Sequence, residues 1–123
     1  ISLGLVGSEM CIRDRLYPLI DGAFSAPWSQ IKKNIAADPE LAEVVEPLLK
    51  LASPSSLVAT AELMLANSTN DLAASLENER RYAELLLREP DFHEGVRAVL
   101  VDKTNDAAFA PEPEPDKYRD ILE

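Results

Sequence analysis

Apolar residues recur three and four positions apart through most of the chain, and several of these runs open on a capping residue followed by proline. Leu16, Leu19, Ile20 and Phe24 predict a short helix or helical turn, interrupted by Pro18. Ser25-Ala26-Pro27 starts a second helix with an apolar stripe of Trp28, Ile31 and Ile35, leaving Lys32 and Lys33 outward. Trp28 reads as a packing anchor rather than a binding platform. Asp38-Pro39 starts a third run through Leu41, Val44, Val45, Leu48 and Leu49, in which Pro47 should kink or split the helix. Ser53-Pro54 starts a fourth, reaching about Ala66, with Leu57, Ala61, Met64 and Leu65 apolar.

Asn67-Ser68-Thr69-Asn70 is rich in capping residues and predicts a loop. The longest helix is predicted over 71–88, with Leu72, Leu76, Glu79, Ala83, Leu86 and Leu87 on one face. A buried Glu79 would need a cation or several donors, so a structural ion pair is favoured there over catalysis. The next helix is predicted over 91–103. Pro90 ends its predecessor, and Asp91 and Glu94 have capping-box spacing. Phe92, Val96 and Val99 share one face, and Gly95 predicts a close backbone crossing. Phe109-Ala110-Pro111 is expected to dock back on the core. Glu112-Pro113-Glu114-Pro115 excludes regular helix, and Asp116 to Leu122 is short enough to be a last helix or to fray. No segment alternates convincingly, so the expected class is all-α, with about five to six helices.

Composition sharpens this only a little. A 46% hydrophobic content is enough for a core. Twenty-two acidic against twelve basic residues give a net charge of −10, which disfavours nucleic acid and anionic membranes as partners. The chain does not begin with Met, and Ile1 to Arg15 differs in character from the rest. The string Gly7 to Arg15 resembles translated adapter sequence from short-read gene models. Residues 1–15 are therefore expected to be a non-native leader, with a strand entering the domain as the alternative. The natural protein would then continue upstream of about Leu16, and Met10 and Cys11 would carry no function.

Candidate chemistry is sparse. One His and one Cys cannot make a His/Cys zinc site within the chain. A Ser-His-Asp triad would have to use His93, and no Gly-x-Ser-x-Gly elbow presents a serine. Four glycines form no phosphate cradle. Ser55-Ser56-Leu57 lacks the Asp that a carrier-protein serine would want before it. Glu94 is better explained as a cap than as a general base. No metal or cofactor is expected.

Asp91-Phe92-His93-Glu94-Gly95-Val96-Arg97-Ala98-Val99-Leu100-Val101-Asp102-Lys103, with the following Phe109-Ala110-Pro111, resembles the C-terminal signature of 3-hydroxyisobutyryl-CoA hydrolases in the crotonase superfamily. The resemblance is strongest over 91–111. Glu79 and Arg81 match a Glu-x-Arg pattern in the preceding helix, where they serve packing. The structural signature is thus Glu79, Arg81, Asp91, Phe92, Glu94, Gly95, Arg97, Asp102 and Lys103. Ordinary hydratases follow Glu-Gly differently, which leans the resemblance to the hydrolase branch. One departure is Ala107-Ala108-Phe109, where the family often has Pro and Trp.

The resemblance implies that residues 16–111 are the C-terminal helical region of a crotonase-type α/β fold whose core is missing; the prolines make 112–123 an extended tail with room for a short terminal helix. It implies a parent enzyme that hydrolyses 3-hydroxyisobutyryl-CoA in valine breakdown. The oxyanion hole and acidic residues would lie upstream, so no catalytic or substrate-binding residue falls in this chain, which alone should be inactive. CoA would be part of the substrate, not a cofactor. The partner is acyl-CoA, bound through the missing core, with no nucleic acid or membrane and with room for a homo-oligomer. The compartment would be bacterial cytoplasm or mitochondrial matrix. An enoyl-CoA hydratase/isomerase fragment and a non-catalytic acidic helical module are the alternatives. A truncated fragment should expose an apolar patch where the core would sit.

Overall fold

The computed structural model describes residues 3–122, with side chains from Asp14 onward. Much of the leader expected over 1–15 lies outside the described side chains. The described residues form seven α-helices and no strand. α1 (Leu3–Phe24) is longer than the short helix predicted at Leu16, and Pro18 sits inside it without ending it. Only one narrow edge of its described part is buried, at Leu16 and Ala23; Ile20 and Phe24 stay exposed. The Asn34 side-chain amide donates 3.0 Å to the Ala23 carbonyl and so satisfies one of α1's terminal acceptors.

α2 (Trp28–Ala37) buries Trp28, Ile31 and Ile35, as its spacing predicts. Asp38 caps α3 (Pro39–Leu49) by accepting from the amides of Glu40 and Leu41. Pro47 does not split α3 into separate elements; it falls two residues from the end, where little helix is left to break. Of the predicted stripe only Leu41 is fully buried, while Val44 and Leu48 face outward. Ser53 caps α4 (Pro54–Asn67) through the Ser56 amide. That helix buries Ser55, Val58, Ala59, Ala61 and Glu62, and leaves Met64 exposed.

Asp71 caps α5 (Leu72–Leu86) through the Ala74 amide. Here the predicted face is wrong. Leu72, Leu76 and Glu79 are exposed, and Asn78 and Tyr82 point inward. The helix is rotated because the side turned to α4 is filled by Tyr82 and by Asn78, whose amide donates to the Asn67 side chain. Glu79 is therefore not a buried carboxylate.

α6 (Pro90–Val96) is followed by one π-helical turn (Arg97–Val101), not by a single helix to Lys103. Lys103 and Asn105 both have positive φ, 56° and 54°, which closes the turn. The chain then runs extended to α7 (Asp116–Arg119). This strap is fastened along its length. Glu112 accepts from the Trp28 indole N–H at 3.0 Å and from the Lys32 ammonium at 2.7 Å. Tyr118 is wholly buried in the central cluster with Trp28, Ile35, Leu41, Val58 and Tyr82.

Candidate functional site

The densest polar junction lies where the start of α4, the start of α6 and the strap meet. Asp91 is 6% exposed. One of its oxygens accepts from the Ser53 and Ser55 hydroxyls at 2.5 and 2.8 Å, and the other accepts from the Ala110 amide at 2.8 Å. Burial works against its ionisation, but the Ser53 hydroxyl, the Ala110 N–H and the Ser55 hydroxyl outweigh it and hold the carboxyl below its ordinary range. The predicted capping box is therefore absent. Glu89 is the N-cap of α6 and makes no side-chain cap; its carboxylate takes the Lys117 ammonium, while Asp91 points across to α4 and the strap.

Glu94 does not reach back to cap either. It forms a two-pronged pair with Arg97 at 2.8 and 2.7 Å and accepts from the Ala108 amide at 2.9 Å. The Arg97 guanidinium and the Ala108 N–H pull the Glu94 pKa down to about 2. Arg97 also donates to Asp102 and to Asp106, so one guanidinium gathers three carboxylates across the π-turn. Gly95 faces the Phe109 ring, which a Cβ would meet at 3.7 Å. The close neighbour is an aromatic ring rather than a crossing backbone.

The remaining signature residues are not drawn into this junction. Phe92 is half-exposed and lies edge-on to the His93 ring, 5.8 Å away. Lys103 is exposed. Arg81 donates to Glu77 and to the Ile121 carbonyl, joining α5 to the end of the strap. Beside the junction lies an open groove of about 420 Å3, whose walls include Phe92, Val96, Val99, Leu100 and Phe109. Of the polar groups at its edge, Ser53, Ser55 and Asp91 are bonded to one another and Glu89 is paired with Lys117. A serine hydroxyl donating to a carboxylate with no histidine between them has no relay for its proton.

A second polar set escaped the sequence reading. Glu62 is buried against Arg119, whose guanidinium donates to it at 3.0 Å, and its other oxygen is buried without a hydrogen-bond partner. Burial and the Glu62 carboxylate push the Tyr82 hydroxyl well above the usual tyrosine range. The available signal was weak: Glu62 follows Val58 by one helical turn, a spacing that a solvated edge residue shares. Among the described residues no group of three or more His, Cys, Asp or Glu is placed to hold a metal ion, and no helix is long and apolar enough to cross a membrane.

A sequence model described as enoyl-CoA hydratase/isomerase matches residues 9–120. The chain belongs to the enoyl-CoA hydratase/isomerase family. It is 37% identical over 95 residues to the mitochondrial 3-hydroxyisobutyryl-CoA hydrolase of Rattus norvegicus, covering 75% of this chain and 24% of the relative. It is 45% identical over 64 residues to that of Dictyostelium discoideum, covering 51% of this chain and 17% of the relative. It is 41% identical over 59 residues to that of Homo sapiens, covering 48% and 15%. The chain thus spans about a quarter or less of the length of these relatives. No solved structure matches it significantly. In this chain the Asp91 and Arg97 clusters tie α6 and the π-turn to the start of α4 and to the strap.

Proposed function

We propose that this chain is the helical C-terminal portion of a CoA-thioester hydrolase acting on 3-hydroxyisobutyryl-CoA, and that the reacting groups lie in the remainder of that enzyme. The similarity to 3-hydroxyisobutyryl-CoA hydrolases carries the reading. The polar chemistry supports it. The carboxylates that are buried or strongly perturbed here include Asp91, Glu94, Glu62 and Glu77, and each of these faces serines, arginines or backbone amides of the chain itself. Water would attack the thioester carbonyl, the C–S bond would break, and the free acid and CoA thiol would leave. CoA is substrate and not a resident cofactor. The compartment is the mitochondrial matrix in a eukaryote or the cytoplasm in a bacterium.

The test joins the chain to the coding sequence upstream of Leu16 and assays 3-hydroxyisobutyryl-CoA with a thiol reagent for released CoA. Thiol release by the joined protein, with none from the 123-residue chain, supports the reading. The family description favours a second reading, an enoyl-CoA hydratase or isomerase. Loss of the enoyl absorbance of crotonyl-CoA without thiol release would select it.

A further inference from the structure

The π-turn carries three neighbouring aliphatic residues outward: Val99, Leu100 and Val101 are 53%, 66% and 68% exposed. Val99 and Leu100 line the apolar groove, so this face differs from a scattered surface residue such as Leu72. Its backbone is also unusual. A π-turn is rare, and two non-glycine residues with positive φ follow within six positions. The Ala98 carbonyl accepts from both Thr104 and Asn105, and Arg97 ties the turn to Glu94, Asp102 and Asp106. Backbone in such conformations persists only where its surroundings hold it. Here the surroundings hold an apolar triplet in water.

We infer that Val99, Leu100, Val101 and the adjoining groove form the face on which the rest of the family's polypeptide docks. The inference rests on the proposed reading of this chain as one portion of a larger hydrolase. The chain covers 24% of the Rattus norvegicus enzyme, which leaves about three quarters of a polypeptide to supply the occupant. A second copy fits less well. It would bring a second net charge of −10 against a chain that already carries −10. The docking surface should therefore be apolar, to match Val99, Leu100 and the groove walls.

The experiment replaces the matching quarter of the Rattus norvegicus enzyme with this chain. Val99→Asp with Leu100→Asp is compared with Leu72→Asp, both in the chimera and in the 123-residue chain. In the chain alone both variants should keep the helical circular dichroism and the urea midpoint, and the Val99/Leu100 variant should bind less apolar dye. In the chimera the Val99/Leu100 variant should lower the melting temperature by more than about 5 °C, and Leu72→Asp should leave it unchanged. Equal tolerance of both variants in the chimera overturns the inference. So does an unsubstituted chimera that fails to fold, or a dimer of the chain alone that Leu100→Asp dissociates. A folded chimera that shows the expected dependence but releases no CoA overturns the functional reading and leaves the docking face standing.

Discussion

The Tyr82 hydroxyl donates a 3.0 Å hydrogen bond to the carbonyl oxygen of Tyr118, and the two rings lie 6.1 Å apart at 40°. One residue is in the middle of α5 and the other in α7, so the strap's last helix is a core element rather than a frayed end. Tyr118→Ala removes a fully buried aromatic and should cost about 3–5 kcal/mol in urea unfolding. Tyr82→Phe deletes only the hydroxyl and should cost about 1 kcal/mol. Equal small effects from both would show that α7 does not contribute to the cooperative core.

Glycine at position 95 offers the opposite sign. Its Cβ would meet the Phe109 ring at 3.7 Å, an ordinary contact, and no positive φ requires glycine there. Gly95→Ala should raise stability by about 0.5–1 kcal/mol through helix propensity. A lowered melting temperature would mean that Phe109 cannot accept the added methyl.

Arg119 is the only described hydrogen-bond donor to the Glu62 side chain. Arg119→Ala would leave a buried carboxylate with both oxygens unpaired and should cost about 1–3 kcal/mol. Replacing both residues, as Glu62→Leu with Arg119→Leu, should recover most of that loss. Arg80→Ala, which removes exposed pairs with Glu77 and Glu84, should leave the denaturant midpoint close to that of the parent chain. Denaturant midpoints of the four proteins check the ordering.

Acid should loosen the junction between α4, α6 and the strap. Asp91 and Glu94 both have folded pKa values below their ordinary ones. A depressed carboxylate stabilises the fold above its unfolded pKa, and that contribution fades as pH falls through the folded value. For Glu94 the window runs from 4.5 down to about 2. The unfolding free energy should therefore drop between those values, and Asp91→Asn with Glu94→Gln should flatten the drop. An unchanged pH slope in the double variant would remove both groups as its source.

Helix starts at Asp38 and Ser53 were legible because they are local chemistry, and Trp28, Ile31 and Ile35 bury together as their spacing predicts; at the next start the cap is Asp71, one residue beyond the predicted loop. The inward face of α5 was not legible. Leu72 and Leu76 outrank Asn78 and Tyr82 on any hydrophobic scale, yet Tyr82 reaches a carbonyl 36 positions away and Asn78 reaches the end of α4. Asp91 misled for a related reason. Its spacing to Glu94 fits a cap, but three donors on other segments outcompete the amides of its own helix. The stretch that carries the family resemblance, 91–111, fastens the strap through Asp91, Glu94 and the Phe109 ring beside Gly95.

The bonds that fasten the strap have a kinetic cost. Glu112 meets Lys32 and Trp28 across 80 and 84 positions of sequence, and Arg119 meets Glu62 across 57. Contacts of such high sequence separation raise contact order and slow the rate-limiting search. During synthesis α2 and α4 leave the ribosome well before Glu112 and Tyr118 are made. Until those residues emerge, Trp28, Val58 and Tyr82 lack the side chain that seals them, and the nascent helices present an open apolar seam to any chaperone at the exit tunnel.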